Sequence, residues 1–441
     1  MVINRLIKTF HKYTENIYNN SLILKNIDNL LFPLILLTFV ASMFVNSDIL
    51  GYFGICCMLL TLTRILFTPK DNLKCERFEI FLIIYFMLML VSLAGSSLFY
   101  LSLKGFMKTV IYLGFYLSVV HHLKNNKNHI LPILITIAGC TAIESFIGLS
   151  QNFAKVDEIS GWQDVSNLNP EEVITRVYGT LQPLNPNLFG GYLVMTIPSV
   201  LGLFCYYLNK KQYILSTVFA IITGLSAIVL FLTGCRGAYL GLFTIFVFTF
   251  LISLKLFWEK YKKLFIFIMT SISTLVTLGI CAVTPLRVRV LSIFAMRNDS
   301  SNSFRFNVYK SSLQMFKDNW LIGIGHGNQN FREIYGLYMK TGFDALSAYN
   351  IYLETAVESG IFALIAFLSF LISILIDGIK YIKTNKDISN IIIISIPLLS
   401  ILGTMVHGMV DTVFFRPQLQ IVFWTMCAIL SNKLYIIKEN Q

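Results

Sequence analysis

The chain has 441 residues, 56% of them hydrophobic and only 13% charged, with a formal net charge of +12. Soluble domains carry about 25% charged residues, so this composition excludes a water-faced globule. The lysines sit in short loops between apolar runs, and membrane topology explains that basic balance better than nucleic acid does.

The apolar runs are continuous rather than alternating, so they are expected to be helices and not barrel strands. Each needs about 20 residues to cross a hydrocarbon core of about 30 Å. In chain order, spans are expected at 30–46, 49–67, 78–96, 105–122, 130–150, 187–208, 212–232, 237–257, 264–283, 347–376, 390–409 and 417–434. The expected fold is therefore an all-α, polytopic transmembrane helical bundle of about twelve spans. Residues 1–29 form an N-terminal segment and 30–441 one transmembrane domain, with a long helical loop at 284–346 between spans 9 and 10. The opening residues are polar and basic, without the pattern of a cleavable signal peptide. Eight cysteines (Cys56, Cys57, Cys75, Cys140, Cys205, Cys235, Cys281 and Cys427) fall mostly inside apolar runs with no CxxC pair. They read as small buried hydrophobes, not as a disulfide framework or a metal site.

Orientation follows from alternate loops. One set carries Arg5, Lys8, Lys12 and Lys25; Arg64, Lys70, Lys74 and Arg77; Lys124 and Lys127; Lys210 and Lys211; Lys255, Lys260, Lys262 and Lys263; Lys380, Lys383 and Lys386; and Lys433 and Lys438. The positive-inside rule places these loops and both termini in the cytoplasm, as expected of a multi-pass protein of the plasma (inner) membrane. The opposite face is poor in lysine, yet it holds Arg176, Arg236, Arg287, Arg289, Arg297, Arg305, Arg332 and Arg416. Arginine against the topology rule needs a local reason. Its permanently charged planar fork fits phosphate or carboxylate, so an anion site on the non-cytoplasmic face is expected. Pairing with Asp299, Asp318, Glu333, Asp344 or lipid headgroups is the alternative for individual arginines.

Six motifs lie on that face. Asn185-Pro-Asn187 is a turn leading into the N-terminus of span 6, close to Arg176, and such a terminus favours anions. The turn Thr233-Gly-Cys-Arg-Gly237 joins two spans with almost no loop and holds Arg236 at the membrane boundary, where an ionisable group is costly. In the long loop, Ser303-Phe-Arg305 is expected to start a short amphipathic helix on the membrane surface bearing Ser312, Leu313, Met315 and Phe316. The cluster Gly323-Ile-Gly-His-Gly327 lacks the strand–turn–helix context of a nucleotide loop. It is expected to permit a tight turn and makes His326 a candidate base. Glu354 and Glu358 share a helix face near Tyr349 and Asn350 at the start of span 10, with a loop arginine as expected partner. His407 and Asp411 stand at i, i+4, spacing for a His–Asp pair or an ion network, and Arg416 follows.

Taken together, the Asn-Pro-Asn turn, the Thr-Gly-Cys-Arg-Gly turn, Ser-Phe-Arg305 with Gly-Ile-Gly-His-Gly, and Asn350-x-Tyr-Leu-x4-Glu358-x-Gly360 resemble the O-antigen ligase and polymerase superfamily of membrane glycosyltransferases. The resemblance covers about 175–425. Within it, Thr175-Arg-Val-Tyr-Gly-Thr-Leu, Ser-Ala-Tyr-Asn and Asp-Thr-Val-Phe-Phe-Arg-Pro look most like the IctB bicarbonate-transporter group of photosynthetic bacteria. The resemblance implies a metal-independent enzyme without cofactor. Its donor is a polyprenyl-pyrophosphate-linked saccharide and its acceptor a lipid or glycan. The pyrophosphate would fall to Arg236 and Arg305, with Arg176 and Arg416 adding charge, and Asn187, Asn350, His407 and Asp411 in support. Tyr349 stands where the ligases carry a histidine that activates the acceptor hydroxyl. A phenol with a pKa near 10 is a poor base at neutral pH. That leaves Tyr349 activated by arginine or Glu358, or replaced by His326. The other implied readings are inorganic-carbon transport and a catalytically inactive relative.

Overall fold

A computed structural model describes residues 14–68, 77–154, 176–294 and 300–439. Arg5, Lys8, Lys12, Lys70, Lys74, Cys75, Arg297 and Asp299, and most of the 151–186 loop, lie outside the described residues. The helices that build the fold are α1 (Ile27–Phe44), α2 (Ser47–Phe67), α3 (Arg77–Gly95), α4 (Phe99–Asn125), α5 (Ile130–Phe153), α6 (Pro186–Asn209) and α7 (Tyr213–Leu232). They continue with α8 (Arg236–Ala282), α9 (Thr284–Leu291), α10 (Ser300–Asp318), α11 (Asn328–Tyr335), α12 (Ile351–Thr384), α13 (Ile388–His407) and α14 (Pro417–Glu439). No strand occurs among the described residues.

Eleven helical segments are long and apolar enough to cross a membrane. Two of them, Arg236–Trp258 and Lys262–Ala282, are the limbs of α8. A straight helix of 47 residues, the length of α8, would extend about 70 Å. Yet the rings of Phe250 and Phe265 lie 5.5 Å apart, and an Arg236 guanidinium nitrogen lies 3.2 Å from Ser292 Oγ. The run therefore folds back between Trp258 and Lys262, as two spans joined in a hairpin.

The twelfth position belongs to α14. This helix packs on α4, α13, α12, α6 and α1, and every residue from Pro417 to Asn432 is buried. Its partners are other helices rather than lipid. Gln420 is therefore bonded to Trp424 and to Phe414 O, and Asn432 to Val120 O, where lipid would leave such groups unsatisfied. Of the described cysteines, Cys57, Cys140, Cys235 and Cys427 are buried as expected, whereas Cys56 and Cys281 are exposed on the apolar exterior.

The loop between α8 and α12 is a folded cap. Val308, Met315, Ile324, Phe331, Tyr335, Ala345 and Ala348 form a small core closed by Val357 of α12. The expected helix after Ser303-Phe-Arg305 is present as α10, and Met315 on it is fully buried in this core, while Leu313 stays exposed.

The tenth span is corrected. At Gly360 the backbone leaves helical geometry, with φ +81°. A Cβ there would stand 2.3 Å from Leu321 O, so no other residue fits without displacement. The part after the break, residues 361–384, is about 36 Å long and spans by itself. Residues 351–359 are a separate short helix at the cap-bearing end of the bundle.

Candidate functional site

The site is built on the turn between α7 and α8. Gly234 adopts φ +62°, a conformation glycine takes without a Cβ penalty, and Cys235 caps α8. Three guanidinium groups from three segments close on this turn. Arg176 donates through Nε to Thr233 O at 2.7 Å and through its second nitrogen to the Asn187 side chain. Arg289 of α9 donates through Nε to Gly234 O at 2.9 Å. Arg236, only 6% exposed, donates to Ser292 O and Oγ.

The N-terminus of a helix already carries positive partial charge, so gathering cations there is unfavourable unless an anion joins them. The electrostatic tension is visible at Arg176. Burial and then the neighbouring Arg289 push its pKa down to about 10, which still leaves it charged at neutral pH. Asn187 stands two residues after Asn185, whose side chain caps α6: Asn185 Oδ1 accepts from the amides of Asn187 and Leu188.

Beneath the turn, His407 Nε2 lies 3.7 Å from Cys235 Sγ. Burial alone would raise this thiol. The hydrogen bond and charge of His407 outweigh it, and the thiol falls below its ordinary value. The expected His407–Asp411 pairing is thus corrected: α13 ends at His407, and Gly408 caps it. Asp411 lies in the following turn, beyond the i, i+4 register of a helix.

Asp411 pairs with Arg305 of α10 at 3.2 Å and accepts through Oδ1 from the amides of Thr412 and Val413. The Arg305 guanidinium lies 5.6 Å from the centre of the Tyr349 ring, a cation–π distance. Tyr349 has φ +50°, and its carbonyl accepts from Tyr309 Oη. Burial raises the Tyr349 phenol, and Asp411 raises it further against the opposing effect of Arg305. Asn350 Oδ1 caps α12 through the amides of Tyr352 and Leu353, and its Nδ2 donates to Met409 O. The two arginine groups meet at Ser292, whose carbonyl accepts from both Arg236 and Asn302, one turn before Arg305 on α10.

A second compartment lies behind Tyr349. A cavity of about 60 Å³ is lined by Glu354, Glu358, His326, Lys108, Tyr85 and Tyr112, among others. The expected loop-arginine partner for the two glutamates is corrected here, because backbone amides serve instead. Glu358 Oε1 accepts from Gly327 N at 2.8 Å and Glu354 Oε2 from Ala348 N at 3.0 Å. His326 is buried. Its Nε2 bonds the Met89 carbonyl, so that nitrogen carries the proton, and Nδ1 faces Ser359 Oγ at 3.4 Å and Glu358 Oε2 at 3.8 Å. The glycine cluster does more than turn. Gly323, Gly325 and Gly327 all have positive φ, and the strand of loop they form bonds the broken end of α12, Ile324 N to Val357 O and Gly325 N to Glu358 O.

The structure thus gathers Arg176, Arg236, Asn187 and His407 at the turn. Arg305, Tyr349, Asn350 and Asp411 stand beside it, and Glu358 and His326 lie in the cavity. Arg416, whose amide bonds Val413 O, stands near Tyr112, which lines that cavity. Arg332 leaves the anion set altogether, forming a bidentate pair with Asp344 on the cap surface. Arg289, expected only as one of the arginines on that face, joins the turn, and Lys108, not singled out from sequence, joins the cavity. Lys108 carried a legible signal, a cation inside an apolar run.

Residues 219–368 match the family model described as O-antigen ligase. The matched third of the chain runs from α7 into α12 and contains Arg236, Arg289, Arg305, His326, Tyr349 and Glu358. Comparison with curated proteins found no match. The likeness to the O-antigen ligase family covers that third, within a bundle that has eleven helical segments long and apolar enough to cross a membrane among the described residues. The likeness to the bicarbonate-transporter group gains no support.

Proposed function

We propose that the protein transfers a glycan from a polyprenyl-pyrophosphate carrier to a lipid or glycan acceptor at the non-cytoplasmic face of the plasma membrane. The observation that carries this reading is the closing of three guanidinium groups on the N-terminus of α8, with Arg305 one residue cluster away. Fixed positive charge of this kind suits the developing charge of a departing pyrophosphate, and preorganised donors stabilise a transition state without reorganising. The acceptor hydroxyl oxygen bonds the anomeric carbon, the anomeric carbon–phosphate oxygen bond breaks, and the hydroxyl proton passes to a base.

That base is Glu358, not Tyr349. The phenol is held protonated by burial and Asp411. Asp411 is committed to Arg305 and two amides. Glu358 opens on the cavity, with His326 as the positioning residue that orients it. The basic loops at the other end of the bundle support a cytoplasmic placement for both termini.

Purified protein in liposomes, supplied with lipid-linked glycan and acceptor, tests the reading. Arg236→Ala and Arg305→Ala are each expected to lower transfer about 100-fold or more. Absence of transfer by the wild-type protein, or full activity in both variants, would overturn it.

A further inference from the structure

The mouth of the Glu358 cavity lies between α4 and the cap. Most of its lining is buried or half-buried, and the exposed members are Lys108 of α4 and Asn328, the first residue of α11. The two elements touch closely just before that point, where a Cβ on Gly105 would stand 2.6 Å from Gly327 Cα. Lys108 follows Gly105 on α4, at the edge of the cavity.

Lys108 lies nine residues beyond Phe99, the first residue of α4, about 14 Å along the helix axis. A lysine in an apolar span is costly unless something answers its charge. Among the described residues its ammonium makes no hydrogen bond and no ion pair. Arg416 is in the same position. It stands near Tyr112 and Glu354, which both line the cavity, and among the described residues its guanidinium makes no hydrogen bond and no ion pair either. The arginines of the turn differ, since Arg176, Arg236 and Arg289 are each bonded to protein oxygens.

The nearby glutamates do not supply the missing charge. Glu358 Oε1 is taken by Gly327 N and Glu354 Oε2 by Ala348 N, and neither carboxylate forms an ion pair with Lys108 or Arg416. The counter-charge therefore comes with the occupant. Space limits what enters: about 60 Å³ holds a few waters or one small polar group, and a sugar ring stays at the mouth.

We propose that Lys108 and Arg416 form an acceptor subsite for an acidic sugar, binding its carboxylate or phosphate while a neighbouring hydroxyl faces Glu358. The inference rests on Glu358 as the base of the proposed transfer, and it names the acceptor class, an acidic glycolipid. The arginine turn then serves the donor, and this second pair of cations selects the acceptor by charge.

The test measures binding of glucuronosyl diacylglycerol and of glucosyl diacylglycerol, which differ in one carboxylate, to the full-length protein in nanodiscs by native mass spectrometry. The wild type is expected to bind the acidic lipid at least about tenfold more tightly. Lys108→Gln and Arg416→Gln are each expected to bring that ratio to roughly one while leaving glucosyl diacylglycerol binding unchanged. Lys108→Arg keeps the charge and is expected to keep the preference. Lys108 is exposed, so its variants read the ratio even if Arg416→Gln fails to fold. Equal binding of the two glycolipids by the wild type, or a preference that survives both glutamine variants, overturns the subsite. Phosphatidylglycerol competing as well as the acidic glycolipid also overturns it, by making the pair a headgroup clamp. Glycan transfer in liposomes is read on the same preparation. Transfer accompanied by equal binding overturns the subsite alone. A lysine-dependent preference without transfer leaves an acidic-glycolipid site standing and overturns the proposed reaction.

Discussion

Tyr349 illustrates how an environment assigns a role. Its ring supports Arg305, its backbone sits at φ +50°, and its carbonyl is held by Tyr309. All three depend on the ring and the backbone, none on the hydroxyl. Tyr349→Phe is therefore expected to keep glycan transfer within about threefold, whereas loss of a true general base costs about 100-fold or more. Because the folded phenol binds its proton more tightly than the unfolded one, its contribution to stability is intact below about pH 10. It fades only as pH rises through the raised value. Thermal unfolding should then show no Tyr349-dependent change between about pH 6 and pH 9, compared with Tyr349→Phe. At the same scale, Arg236 was legible because an arginine in a two-helix turn must sit at membrane depth. The partner of Asp411 was not: the i, i+4 spacing from His407 assumes a helix that Gly408 ends.

Among the elements, the broken α12 matters most. Its glycine has positive φ and no room for a Cβ against Leu321 O, and Gly323 meets Glu358 O in the same way, at 2.4 Å. These close backbone approaches seat the cap on the helix that carries Glu358. Gly360→Ala is expected to destabilise the fold by about 2 kcal/mol or more, read as a lowered melting temperature in detergent, with loss of transfer at temperatures where Glu358→Gln still melts normally. The length of the expected tenth span, 347–376, was the trace this break left in the sequence, since a single span needs about 20 residues. Its position was not readable, because a glycine's φ is set by what packs against it.

Across the whole molecule, charge and depth organise the fold. The arginine turn, the cap and the cavity share one end of the bundle, and the lysine-rich loops hold the other. A membrane-impermeant maleimide applied to intact cells should label Leu337→Cys on the cap, where the side chain is 84% exposed, and spare Tyr213→Cys at the opposite end until the membrane is opened. Labelling of Tyr213→Cys alone would invert the orientation.

Apolar runs of the right length located most of the spans from sequence alone, because lipid imposes that length on a spanning helix. Arginine on the lysine-poor side marked the face of the site for the same reason, since position against the membrane is a property of linear sequence. The tertiary structure alone decided that α14 is the buried centre, its glutamines and asparagine answered by neighbouring helices. It also decided that Arg332 belongs to the cap surface and Arg289 to the turn. Which cation meets which acceptor depends on contacts between segments far apart in the chain, and the hydrophobic pattern of one segment carries no record of them.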